Sequence, residues 1–235
     1  MAKNSFEHEL AIFSTEEEIA QQYFFSYLSI RSGDIHVIRA MNTNSLFWIT
    51  TRDALLLAAF IALGRIFDQN SKHNIDRLMS AALKDISAFS RIALADRKRR
   101  SGLTSEEAAA YVEHSYELSA SDLRILRKEI KRWRQIYEAR YKQIRDKFFA
   151  HREISSVEEA NNLMVNTNID EMKELFGFMS DLEAKLWAAF HNGISPHREA
   201  REFNLTPDRI SGRDLPGEKV FRQGQAVLKS VLPAN

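Results

Sequence analysis

The chain of 235 residues contains no cysteine. That excludes disulfides, thiol catalysis, iron–sulfur clusters and cysteine-ligated zinc. Proline (4) and glycine (8) are scarce, which disfavours all-β folds built on many turns. Neither sign of charge dominates, since the formal net charge is +1. No basic start leads into an apolar run at the N-terminus, so a secretory leader is not expected. The most apolar stretch, Ala54 to Leu63, is about half the length that crosses a bilayer. Arg52, Asp53 and Arg65 bracket it. It reads as a helix buried on most sides, and the expectation is a cytoplasmic protein with no membrane association.

What is present is ordinary globular chemistry: 44% apolar and 28% charged residues. Charge is unevenly placed. Residues 1–30 hold one Lys and five Glu, whereas residues 121–153 hold eleven Lys or Arg against five Asp or Glu. A phosphate-rich partner is compatible with that asymmetry. All four prolines lie beyond residue 193, which divides the chain into a helix-rich body, 1–193, and an irregular C-terminal arm, 194–235, with room for a short helix. The arm is expected to wrap the body or a second protomer.

Helix start signals recur along the body. Thr15-x-x-Glu18, Thr104-x-x-Glu107, Ser119-x-x-Asp122, Ser156-x-x-Glu159 and Asn168-x-x-Glu171 fit capping boxes or related N-caps. Helices are expected over about Ser45–Phe67, Ile75–Lys84 and Ile169–Phe190, with a loop at Asp96–Arg100. No alternation of period two persists. The fold class is therefore all-α, an up-and-down bundle of four to five main helices with an irregular C-terminal arm.

The longest pattern places Leu123, Leu126, Ile130, Trp133, Tyr137, Tyr141, Ile144 and Phe148 at spacings of three and four. One further step lands on His151, where the pattern asks for a hydrophobe. Arg145 sits beside this seam and Asp146 across from Ile144. In one continuous helix Arg145 and His151 differ by about 120° in azimuth and about 9 Å along the axis. A shared ligand then requires converging side chains, a bend near Phe149, or a second copy of the helix. Read from residue types alone, His151 is a core or capping histidine, Arg145 and Asp146 are surface charges, and the basic run Arg124 to Arg134 is a solvated face.

The stretch Arg145-Asp146-Lys147-Phe148-Phe149-Ala150-His151 resembles the Arg-polar-(four residues)-His signature of the HEPN superfamily. The wider chain, from about residue 15 to 190 and including Arg65-Ile66-Phe67-Asp68 at the end of an apolar helix, is similar to its abortive-infection U branch. The resemblance implies a helical bundle and, for many members, a metal-independent ribonuclease in toxin–antitoxin or phage-defence systems. It implies catalytic roles for Arg145, His151 and Asp146, and a site composed across a homodimer. Glu153 stands where some members carry a modifiable tyrosine, so adenylylation there is not expected.

The chemistry is coherent. RNA cleavage by 2′-OH attack needs a base, an acid and positive charge on the crowded phosphorus. Histidine suits either proton role, and arginine offers a planar fork for phosphate oxygens. Lys147, Arg152 and Tyr141 are candidates for backbone contact or base stacking. RNA, a second copy of the chain and a protein antitoxin are the expected partners. No cofactor and no metal is expected, since no Glu-x-x-His pair, Walker loop or Gly-x-Gly-x-x-Gly occurs. The alternatives are a non-catalytic HEPN-like module binding nucleotide, RNA or a protein, and a purely structural interaction protein. Arg65 and Asp68 are expected to pair with each other.

Overall fold

A computed structural model describes residues 5–146, 168–199, 202–206 and 214–230. His151, Lys147 and Arg152 lie outside them, as does the expected helix start at Ser156. The fold is all-α, and no strand occurs among the described residues. The helices are α1 (Ser5–Arg31), α2 (Ile35–Asn42), α3 (Ser45–Phe67), α4 (Ile75–Lys84), α5 (Arg91–Arg100), α6 (Ser105–Val112), α7 (Ala120–Ile136), α8 (Lys142–Ile144), α9 (Ile169–Asn192) and α10 (Pro216–Ser230). A 3₁₀ turn, Ile86–Phe89, precedes α5, and a π-helical turn, Tyr137–Tyr141, joins α7 to α8.

The chain folds into two compact units. The first takes Met1–Thr15, Ile66–Glu138 and Glu174–Arg201, and the second takes Glu16–Arg65, Ala139–Lys173 and Glu202–Asn235.

In the first unit, Phe6, Phe89 and Phe190 form a three-ring core with centroids 4.8 to 5.6 Å apart. Arg97 lies 4.1 Å over the Phe190 ring. It also donates to the carbonyls of Ala88 and Phe190, tying the end of α9 to the turn before α5. The expected loop at Asp96–Arg100 is instead the second half of α5. Ser90 caps that helix by accepting from Ala93 N–H, Leu94 is buried, and the four basic residues of the last turn favour the helix dipole. The capping boxes at Thr104 and Ser119 form as expected. The capping signal at Thr15 fails. α1 begins at Ser5 and runs straight through, and the Thr15 hydroxyl donates to Ala11 C=O inside the helix. α9 stops at Gly193, whose φ of +61° suits a helix-terminating residue.

In the second unit, Gly33 lies just past the end of α1, and Asp34 then caps α2. By length and composition α3 meets the requirement for a membrane span. Its burial is confined to one face and to the C-terminal half, where Leu56, Ala59, Phe60, Ala62 and Leu63 are core residues. Leu46, Phe47 and Ile49 at the other end are 78%, 61% and 47% exposed.

The C-terminal arm contains a 15-residue helix, α10, with Pro216 at the position where a missing N–H costs nothing. It packs on α1 of the same chain. Gly217 N–H donates to Gln21 Oε1 at 2.9 Å, and Gln225 donates to Ser29 C=O at 2.6 Å. A Cβ at Gly217 would sit 2.6 Å from Phe25 Cε2, and one at Gly224 would sit 2.9 Å from Ser29 Cβ, so both glycines allow the close approach. Ahead of α10, Phe203 packs its ring 4.6 Å from that of Phe25.

Candidate functional site

The apolar seam that starts on α7 forms as expected through Ile144, with Leu123, Leu126, Ile130, Trp133, Tyr137, Tyr141 and Ile144 all buried, while Phe148 lies outside the described residues. What holds the seam in phase is not a continuous α-helix. From Trp133 the spacing is four, then four again, and in α-geometry eight residues overshoot two turns by about 80°. The π turn at Tyr137–Tyr141 absorbs that excess by widening one turn. The seam that follows the Ser119 cap is therefore carried by α7, the π turn and α8 in succession.

Tyr141, at the end of the π turn, is a structural residue. Its ring stacks on Phe60 of α3 at 5.9 Å and 25°, and it is fully buried. Its hydroxyl donates to Glu171 Oε1 at 2.6 Å and lies 3.3 Å from Asn168 C=O. Burial, and then the Glu171 carboxylate, push its pKa well above the ordinary phenol value, so it stays protonated. A candidate for stacking on a base needs an open ring face, and Tyr141 has none.

Glu171 also accepts from Arg140 Nη1 at 2.7 Å. Asn168 caps α9 as expected, accepting from the N–H groups of Asp170 and Glu171. The Glu171 side chain, however, turns to the π turn rather than back to the cap. The first turn of α9 is thereby clamped to the two residues that precede α8.

Arg145 and Asp146 follow α8 directly. Two donors of Arg145 meet the same carboxylate oxygen, Asp146 Oδ1, Nε at 2.8 Å and Nη2 at 2.5 Å. Both side chains are largely withdrawn from solvent, at 18% and 34% exposure. The contact fixes the plane of the guanidinium. The other face of this arrangement is Gly64 on α3, where a Cβ would overlap Arg145 Nη1 and lie 3.1 Å from Cζ and 3.2 Å from Cδ. Arg145 is thus laid across a stretch of α3 that has no side chain. Gly64 and Glu171 are site-building residues that the motif does not include. The signal for Gly64 is a glycine inside an apolar helix, where it costs about 1 kcal/mol against alanine and calls for a reason.

Arg65, next to that glycine, reaches Glu16 Oε2 on α1 at 3.2 Å, a charge contact without hydrogen-bond alignment. This is a different partner from the Asp68 expected for it. Among the described residues, no group of three or more His, Asp or Glu side chains is arranged to hold a metal ion.

The sequence pattern of a protein family, AbiU2 of the HEPN group, matches most of the chain, across residues 4–205. No curated protein and no solved structure matches.

Proposed function

The chain belongs to the AbiU2 family of HEPN proteins, a HEPN-type abortive-infection module, and from that premise we propose that it is a metal-independent endoribonuclease. The observation that carries the proposal is the Arg145 guanidinium, held in one plane by Asp146 against the bare backbone of Gly64. A rigid, always-charged fork is what a crowded phosphate requires. Asp146 orients Arg145 and takes no proton.

In the proposed reaction the 2′-oxygen attacks phosphorus and the bond from phosphorus to the 5′-oxygen breaks. A base takes the 2′-OH proton, and an acid gives a proton to the departing 5′-oxygen. The products are a 2′,3′-cyclic phosphate and a 5′-hydroxyl. His151 supplies the proton transfer. One histidine does not serve as base and acid in the same step, so two copies of the chain contribute to one site in a homodimer. Lys147 and Arg152 contact the RNA backbone.

The test is cleavage of single-stranded and structured RNA by the purified chain, with and without EDTA. Wild type should cleave in both conditions, and Arg145→Ala and His151→Ala should each lose about 10²-fold or more. If each site takes one histidine from each copy, subunit exchange of wild type with excess His151→Ala should lower the activity by more than dilution accounts for. Equal cleavage by all three proteins would overturn the assignment. RNA binding without cleavage by the wild type would point to a non-catalytic module instead.

A further inference from the structure

The function proposed above uses one end of the basic middle region and leaves the rest unexplained. α4 and α7 pack side by side within the first unit. Arg134 Nη2 lies 2.7 Å from Asp76 Oδ2. Arg127 Nη2 donates to Ser80 Oγ at 3.3 Å. Residue numbers rise on one helix as they fall on the other, so the pair is antiparallel.

That register brings two rows of side chains together. On α4, Arg77, Ser80 and Lys84 follow spacings of three and four and are all exposed. On α7, Arg124, Arg127, Lys128 and Lys131 share one exposed face, within an arc of about 100°. The Ser80–Arg127 contact joins the rows. The surface so formed carries six cations and one hydroxyl. Arg132 extends it on the far flank of α7, next to Glu129, whereas Asp85 borders its end beside Lys84.

Three features separate this face from an ordinary solvated one. Among the described residues, none of the six cations takes part in an ion pair, while their neighbours Arg134 and Arg140 are paired with Asp76 and Glu171. The chain as a whole is only +1, so concentrating six positive charges here leaves the remainder net acidic. Segregation of that kind costs self-repulsion and favours a polyanion. Neither row contains an apolar residue; Ile125 lies off the rows, and Leu83, one turn from Ser80, is a single exposed apolar side chain beside them. A protein interface usually needs an apolar or aromatic centre, whereas a phosphate backbone needs only cations and donors repeated along a track.

We propose that the α4–α7 face, Arg77, Lys84, Arg124, Arg127, Lys128 and Lys131, is a binding track for the phosphate backbone of single-stranded RNA. The choice of RNA as the polyanion rests on the ribonuclease reading; the track itself does not. Rows spaced by one helical turn, about 5.4 Å, let successive side chains meet successive phosphates. The track gives affinity without base recognition, so it should hold RNAs of different sequence about equally.

Salt dependence tests this directly. The full chain carrying Arg145→Ala is titrated into a fluorescein-labelled single-stranded RNA oligonucleotide, and anisotropy is read between 50 and 300 mM KCl. Six phosphate contacts give a slope of log K against log[KCl] near −4, at about −0.7 per contact for single strands. Replacing Arg124, Lys128 and Lys131 by Gln should make that slope shallower by about 2 and weaken binding ten-fold or more at low salt. A control triple, Arg39→Gln, Arg100→Gln and Lys229→Gln, at exposed basic residues elsewhere, should leave slope and affinity unchanged. An unchanged slope in the track variant, or an equal loss in the control, overturns the track. So does absence of RNA binding with salt-dependent binding to poly-glutamate, which would assign the face to an acidic protein. Failure of the catalytic reading looks different: the track variants behave as expected while the wild type cleaves nothing.

Discussion

Gly64 and Arg145 are built around each other: the guanidinium occupies the place where any other residue at position 64 would put its Cβ. Gly64→Ala therefore separates site geometry from stability. Alanine is the better helix former by about 1 kcal/mol, and the atom it meets first is the far end of a long side chain, which can move aside by giving up its seat beside Asp146. The expected outcome is a thermal midpoint that holds or rises by a few degrees, with RNA cleavage reduced about 10²-fold because the phosphate-binding group is displaced. Circular dichroism melting beside a cleavage assay measures both. Undiminished cleavage would show that the position of Arg145 does not matter.

Tyr141→Phe keeps the ring against Phe60 and removes the hydroxyl that reaches Glu171. A hydrogen bond to a charged group contributes about 2 kcal/mol, which in a chain of this size is a fall of about 4–8 °C in Tm. RNA affinity should not change, because the ring is closed off from solvent. A variant with the melting point of wild type and weaker RNA binding would make Tyr141 a substrate contact after all.

Acid stability should depend on Asp122. Burial works against its charged form, but the Ser119 hydroxyl and amide, the Tyr116 hydroxyl and His197 together hold its pKa down to about 2. A carboxylate whose pKa is lower in the folded state stabilises the protein above its unfolded value, and that stabilisation is lost as pH falls toward the folded value. The window here runs from about pH 4 down to about pH 2. Asp122→Asn should be less stable than wild type by roughly 2 kcal/mol at pH 7, and the gap should narrow as pH falls through about 3. Urea denaturation at several pH values reads it. A gap that stays constant down to about pH 2 would show that ionisation of Asp122 is not what stabilises this corner.

Much of the helical order is legible in the sequence because local signals agree. Ser45–Phe67 and Ile75–Lys84 are visible as an apolar run and as a short helical segment, and Asn168 announces α9. The structure departs from expectation where one signal outweighs another. Five charges in a row at Asp96–Arg100 suggest a loop, although Ser90 and the buried Leu94 define a helix through them. Thr15 has the residue pattern of a cap, yet Phe6, Leu10 and Phe13 before it are core residues, so burial carries the helix past it.

The candidate site is legible in its residues and less so in its geometry. Neighbours on an α-helix do not face each other, so nothing in the periodicity indicates that Asp146 takes two donors from Arg145. The seat at Gly64 is eighty-one positions away in sequence and is marked only by a glycine in an unfavourable place. The consecutive spacings of four around Tyr137 are the trace of the π turn, and they pass for ordinary helix as long as three and four are treated as equivalent steps.

That turn has a consequence for which changes in length the chain tolerates. Loops accept insertions because their ends can move. A residue removed inside the π turn would be absorbed by its return to α-geometry, but between Tyr141 and Arg145 one residue added or removed would rotate Arg145 by about 100° relative to Tyr141. With Tyr141 held against Phe60, Arg145 would leave its seat on α3. Substitution on the exposed positions of this segment is cheap, whereas a change of a single residue in its length is not, so the spacing from the seam to the arginine is itself a constrained feature of the protein.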